Sequence, residues 1–261
     1  MDTNYPIVLV HGVLLKDFGP LKAWGSIDKA LKKQGITFYN ADHDGFGSIE
    51  NNAAQIKPYI EGVLVKTGAE RVNIITHSKG GLDTLYMIDH YGMQDKIASI
   101  TFVSTPHRGS AVATFLYRLP RPLRKLIEVS LNLAFRLLRD KNPDSLTVCR
   151  QLCATDEDIV QLRDPSVLDS IYLQSYSVTL KHGIDDFVMS LPLLVSHFAK
   201  HTPGDGMVAV RSAKYGVYRG DCTGTSVSHS EIAGFMLKPW KKKKVHRFYI
   251  SVVEDLAVRG L

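Results

Sequence analysis

Val72-Asn73-Ile74-Ile75-Thr76-His77-Ser78-Lys79-Gly80-Gly81 carries a buried-strand pattern directly into a serine and two glycines. The apolar, β-branched residues from Val72 to Thr76 predict a strand covered on both faces. The glycines open a helix predicted from about Gly80 to Tyr91, closed by Gly92. A strand-to-helix turn this tight needs small neighbours and thrusts the serine Oγ out at the carboxyl edge of a sheet. The usual pattern of such a turn is G-x-S-x-G; here Thr76 holds the first glycine position and Gly80 the second. The threonine adds a branched side chain where crowding is expected to be worst.

Strands and helices alternate outward from this stretch. Strands are predicted at Ile7–Val10, at 36–41 and at Ile97–Ser104, with helices at 21–33 and Ile49–Thr67. That alternation predicts an α/β protein with a mostly parallel central sheet and helices on both faces. It breaks after residue 104. Residues 111–201 are largely helical in pattern and punctuated by five prolines, far longer than an ordinary connection. They are expected to form a helical cap inserted over the ligand edge. The sheet core would then comprise residues 1–110 and 202–261, with strands resuming at 207–213 and 216–219 and a last helix at 248–256.

The 261 residues are 44% hydrophobic and 22% charged, which suits one sizeable folded core and excludes a low-complexity chain. No apolar run approaches the length of a spanning helix. With a short polar start before Ile7, no secretory signal is expected. Cys149, Cys153 and Cys222 have no metal-ligand or redox spacing, so reduced thiols in a cytoplasmic protein are expected.

A serine nucleophile needs a base, and the base an orienting acid, in the chain order Ser, Asp, His for this architecture. His229 lies after the last expected strand, in Ser226-Val-Ser-His-Ser-Glu231. Asp205 lies in the tight turn Gly204-Asp-Gly-Met-Val208, with Asp185, Asp186 and Asp221 as nearby alternatives. The turn after the first strand, His11-Gly12-Val13-Leu14, falls at the same sheet edge as Ser78. The backbone N–H groups of Val13 and Lys79 are therefore the expected donors to an oxyanion.

Four segments, Pro6 to Gly12, Val72 to Gly81, Thr105-Pro-His-Arg-Gly-Ser110 and Gly204 to Val208, resemble the ordered motifs of bacterial triacylglycerol lipases and esterases in the α/β-hydrolase superfamily. The resemblance covers the sheet portion and hardly touches the cap. It implies the α/β-hydrolase fold, Ser78 as nucleophile, Asp205 as acid, His229 as base, and Val13 with Lys79 as the oxyanion hole. Many such lipases hold calcium through an Asp two residues after the catalytic His; here that position is Glu231, and no metal or cofactor is expected. The motif around His107 looks structural. The implied activity is a serine carboxylic-ester hydrolase working through an acyl-enzyme on an apolar acyl substrate. An acyltransferase or thioesterase with the same triad, or a non-catalytic lipid- or partner-binding protein on this scaffold, are the alternatives.

Positive charge is concentrated in two islands. Residues 111–150 hold eight basic residues against three acidic, and residues 238–247 hold six basic and none acidic. Such islands suit an anionic membrane surface. Neither interleaves aromatics as a nucleic-acid module does, so no nucleic-acid partner is expected. In the first island, 121–139 predicts an amphipathic helix whose apolar face carries Leu123, Leu126, Ile127, Leu131, Ala134, Phe135 and Leu138.

Overall fold

The structure, a computed structural model, describes residues 3–13, 16–17, 22–181, 186, 192, 194, 203–235 and 238–261. The expectations for Leu14, Leu21, Asp185 and most of 182–202 lie outside the described residues.

Among the described residues six strands form one sheet: β1 Ile7–Val10, β2 Phe38–Asn40, β3 Val72–His77, β4 Ile97–Val103, β5 Tyr172–Ser177 and β6 Val217–Asp221. Their order is β2-β1-β3-β4-β5-β6, and every pairing is parallel. In β1, Val8 and Val10 enter one core while Ile7 and Leu9 enter the other, which is why the strand reads as an unbroken apolar run. The first core is closed by α2 (Ile49–Thr67) and α3 (Gly80–Tyr91). The second is closed by α1 (Ile27–Lys33) and the C-terminal helix, labelled α7 below (Pro239–Val258). There Trp24 and Tyr249 are fully buried and meet edge to face, with centroids 5.8 Å apart.

Between β4 and β5 stand α4 (Ala111–Arg118), α5 (Arg121–Leu137) and α6 (Ser145–Gln151). The expected extent of the cap is corrected here. β5 falls inside 111–201 and pairs with β4 and β6, so the sheet resumes about thirty residues before position 202. Its sequence hid it because its buried positions are polar and satisfied sideways. Gln174 donates to Thr101 Oγ1 at 3.0 Å, and Ser175 accepts from the backbone of Tyr215.

The strand expected at 207–213 is also corrected. Residues 207 and 208 belong to a turn, and Val210–Ala213 is a short helix. The Met207 and Val208 N–H groups are drawn to the Asp205 carboxylate and so cannot join a ladder. α7 begins nine residues earlier than expected, with Pro239 at its first turn. Its polar start is anchored by Lys241, buried against Glu231 at 2.7 Å.

The apolar face of α5 divides in two. Ile127, Leu131, Phe135 and Leu138 are half-buried, and Phe135 meets Phe46 edge to face at 4.4 Å. Leu123, Leu126, Val129, Leu133 and Leu137 are exposed.

Candidate active site

Ser78 sits between β3 and α3 with φ +54°, a conformation that costs a non-glycine residue energy and persists only where its surroundings enforce it. The enforcing contacts are backbone ones. Ser78 N–H donates to Val103 O at 3.0 Å, and Gly81 N–H donates to Ser78 O at 3.1 Å. Two glycines admit the turn. A Cβ on Gly80 would stand 2.4 Å from His11 O, and one on Gly12 would stand 2.6 Å from Ser78 Cβ. The crowding therefore falls at Gly12 and Gly80. Thr76 remains an ordinary β3 residue paired with Phe102, where a β-branched side chain fits.

The Gly12 contact also locates the turn after β1. A Cβ there would stand 3.1 Å from Lys79 N, so residues 11–13 lie directly against the start of α3, whose first N–H groups have no intrahelical partner. Both buried histidines beside the turn have their tautomers set by carbonyl acceptors. His11 Nδ1–H donates to Gly12 O at 2.8 Å, and His43 Nε2–H donates to His11 O at 2.9 Å. Their rings stack at 3.9 Å, and burial pushes His11 down to about 4.

His229 opens a short helix whose N-cap, Ser228, forms a reciprocal capping box with Glu231. Its Nε2 lies 2.9 Å from Ser78 Oγ and its Nδ1 lies 2.6 Å from Asp205 Oδ2. The carboxylate can only accept, so Nδ1 carries the proton and Nε2 is free to accept from the Ser78 hydroxyl. The His229 N–H also donates to the backbone carbonyl of Asp205 at 3.0 Å. Ser78, Asp205 and His229, three positions singled out from sequence, are thus hydrogen-bonded in series.

Asp205 is completely buried. Its Oδ1 accepts from Met207 N–H at 2.9 Å and Val208 N–H at 2.7 Å, and its Oδ2 accepts from His229 and from the Ser104 hydroxyl. Burial alone would raise its pKa, but the His229, Ser104 and Val208 partners outweigh it and hold the carboxyl below its ordinary value. Gly206, at φ +101°, makes the turn possible.

Of the other acidic candidates, the two described, Asp186 and Asp221, are not in this chain of bonds. Asp186 binds the Ser228 and Ser230 hydroxyls, and Asp221 binds the N–H groups of Thr223 and Gly224. His107 is buried and stacked on Tyr215 at 4.4 Å, a packing role in keeping with its motif. Glu231 accepts from Lys241 Nζ and from Ser228 N–H.

Two residues of the site escaped sequence reasoning. Ser104, at φ +49°, follows β4 as Ser78 follows β3, and its place at a strand's carboxyl end was the available signal. His77 is buried with its ring 4.6 Å from that of His229, against which it packs. A third feature is electrostatic. Lys79, next to the serine, is fully buried with Nζ 2.7 Å from Asp83 Oδ1; burial pushes the lysine pKa down and that of Asp83 up to about 6.

No protein-family model matches the chain. It is 29% identical over 259 residues to triacylglycerol lipase 2 of Saccharomyces cerevisiae, covering 92% of this chain and 74% of that protein. It is 37% identical over 119 residues to a triacylglycerol lipase of Pseudarthrobacter phenanthrenivorans, a match spanning 44% of this chain and only 37% of that protein. Among solved structures, Staphylococcus hyicus lipase superposes with a TM-score of 0.67 at 17% identity, covering 97% of this chain and 95% of that one. The metagenomic carboxyl esterase MGS0156 gives 0.65 at 16%, covering 100% and 77%. By its parallel sheet and its strand–serine–helix turn the chain has the α/β-hydrolase fold, and it is similar in sequence to triacylglycerol lipases and in fold to solved lipases and esterases.

Proposed function

We propose that the protein hydrolyses carboxylic esters of apolar acyl groups through Ser78, His229 and Asp205. The observation that carries the reading is the hydrogen-bonded series from Ser78 Oγ through the His229 ring to Asp205 Oδ2. As Ser78 Oγ attacks the ester carbonyl, its proton passes to His229 Nε2, and Asp205 stabilises the imidazolium without taking its proton. The Val13 and Lys79 N–H groups receive the negative charge that develops on the carbonyl oxygen. His229 then protonates the departing alcohol, leaving an acyl group on Ser78. Water attacks that acyl group with His229 again as base, releasing the acid and restoring the serine.

A lipid ester as substrate is supported by α5 and by the names of the relatives. Leu126, Leu133 and Leu137 of this helix are 64%, 58% and 73% exposed, an apolar face suited to acyl chains. In this reading α4 to α6 form the cap. Phe135 on Phe46, and Asp140 accepting the Gly45 and Phe46 N–H groups, tie its base to the loop after β2.

Ser78→Ala is expected to lower p-nitrophenyl ester turnover by about 10⁴-fold or more, and a fluorophosphonate probe to label wild type and not the variant. Undiminished turnover would remove Ser78 from the mechanism. Leu126→Gln/Leu133→Gln is expected to slow turnover of emulsified long-chain triacylglycerol while sparing a soluble short-chain ester. Equal loss on both substrates would reject the lipid role of α5.

A further inference from the structure

Away from Ser78, the surface between α1 and the first three turns of α7 encloses a groove of about 550 Å³. Lys33, Lys242, Lys243, His246 and Arg247 line it over a floor that includes Ala30 and Ile250, and among the described residues none of the lining is acidic. The helical repeat creates the arrangement. Positions 242, 243, 246, 247 and 250 share one face of α7, whereas Lys241 turns inward to Glu231. The lysine run is therefore split into one buried structural cation and a set of exposed ones.

Several like charges facing one concavity repel one another, a cost that a bound anion removes. The α7 dipole adds to this, since the helix begins at the groove with Pro239 and has no side-chain cap. His246 is held in place by a 2.8 Å hydrogen bond between Nε2 and Ser26 Oγ. Beside the groove Trp240 is 69% exposed, with Lys238 Nζ 5.7 Å from its ring centroid. An indole with one apolar body and one polar edge belongs at the headgroup level of a membrane. Among the described residues no helix is long and apolar enough to cross a membrane, so such contact would be peripheral.

We propose that the α1–α7 groove is a second binding site, which holds the phosphate-bearing headgroup of an anionic lipid and docks the protein on a membrane surface through α7 and Trp240. The site is separate from the ester-hydrolase reading and stands whether or not that reading holds.

The test is co-sedimentation of the full chain with vesicles of phosphatidylcholine alone or mixed with phosphatidic acid. It compares wild type, Lys242→Ala/Lys243→Ala/Arg247→Ala, all at exposed positions, and the charge-matched Lys57→Ala/Lys66→Ala/Lys96→Ala, of which Lys57 is half-buried and the other two exposed. Three basic side chains at an anionic surface are expected to change the partition constant on the order of 100-fold. The groove variant should lose the phosphatidic acid vesicles by that factor while the matched variant keeps most of its binding. Trp240→Ala should weaken binding of the mixed vesicles, and unchanged circular dichroism verifies folding. Equal loss in the two triple variants, or no loss in the groove variant, overturns the proposal. So does wild-type binding of soluble inositol trisphosphate or inorganic phosphate without binding to the mixed vesicles, which would assign the groove to a free anion.

Discussion

The Ser104 hydroxyl donates to Asp205 Oδ2, the same oxygen that faces His229 Nδ1. With Met207 and Val208 on Oδ1, both carboxylate oxygens are committed and the group has a single orientation toward the imidazole. Ser104 is a positioning residue: it meets the acid and reaches the serine only through it. Its left-handed backbone at the end of β4 points the hydroxyl across 101 positions of sequence.

Ser104→Ala removes a hydrogen bond to a buried charge, worth about 1.5–3 kcal/mol. The expected result is a fall in kcat of roughly 10- to 100-fold with KM nearly unchanged. The carboxyl also loses a partner that keeps its pKa low, so the acid limb of the pH–rate profile should move to higher pH. Steady-state kinetics across pH provides both readings. A rise in KM with kcat intact would assign Ser104 to substrate binding instead.

Gly12→Ala would bring a methyl to 2.6 Å from Ser78 Cβ and 2.9 Å from His77 O. The turn after β1 would have to retreat from the elbow, taking the Val13 N–H with it. A misplacement of about 1 Å costs on the order of 10²-fold in turnover. Thr76→Gly, in contrast, should not improve activity and should cost about 1 kcal/mol of stability, since Thr76 is a well-fitted strand residue. Ester kinetics together with thermal melts of the two variants decide the point.

Asp83→Ala leaves the buried Lys79 ammonium without its carboxylate. Breaking one side of such a pair costs about 3–5 kcal/mol, which lowers Tm by about 10 °C in a chain of this size. Lys79→Met/Asp83→Leu should recover most of that loss, because an apolar pair needs no charge desolvated. A double variant no more stable than Asp83→Ala would show that the pair's packing, rather than its charge, is what matters.

Asp44 joins three segments: Lys16 after β1 at 2.9 Å, Gln55 on α2 at 3.0 Å, and the Lys141 and Asn142 N–H groups after α5 at 2.9 Å each. Burial opposes its ionisation, but these partners prevail and hold its pKa down to about 2. A carboxyl depressed on folding stabilises the protein above its ordinary pKa and loses that contribution as pH falls toward the folded value. Asp44→Asn should therefore be less stable than wild type near neutrality, with the gap closing as pH falls from the ordinary carboxylate value of 3.8 to about 2. Urea denaturation at both ends of that range measures the gap; a constant gap would exclude Asp44 as its source.

The boundaries of α2 and α3 and the centre of the sheet were legible in sequence because neighbouring residues decide them. A helix stops where Gly68 or Gly92 takes a positive φ, and β1, β3 and β4 declare themselves by apolar runs buried on both faces. Ser78, Asp205 and His229 could be singled out for the same reason, since each lies at the end of a recognisable local element. β5 was not legible, because its inward polar groups are satisfied by β4 and the segment before β6, which no local pattern reports.

Sequence by itself determined that a parallel sheet would present a serine at its carboxyl edge, with an acid and a histidine following in order. Tertiary structure alone decided that Ser104 would share an oxygen of Asp205 with His229, that Asp44 would gather three segments, and that Lys241 would turn inward while Lys242 and Lys243 face a groove. These relationships join groups from separate elements whose partners become neighbours only when helices and strands pack. Hydrogen bonds and ion pairs act over a few ångströms of space, whatever the separation along the chain.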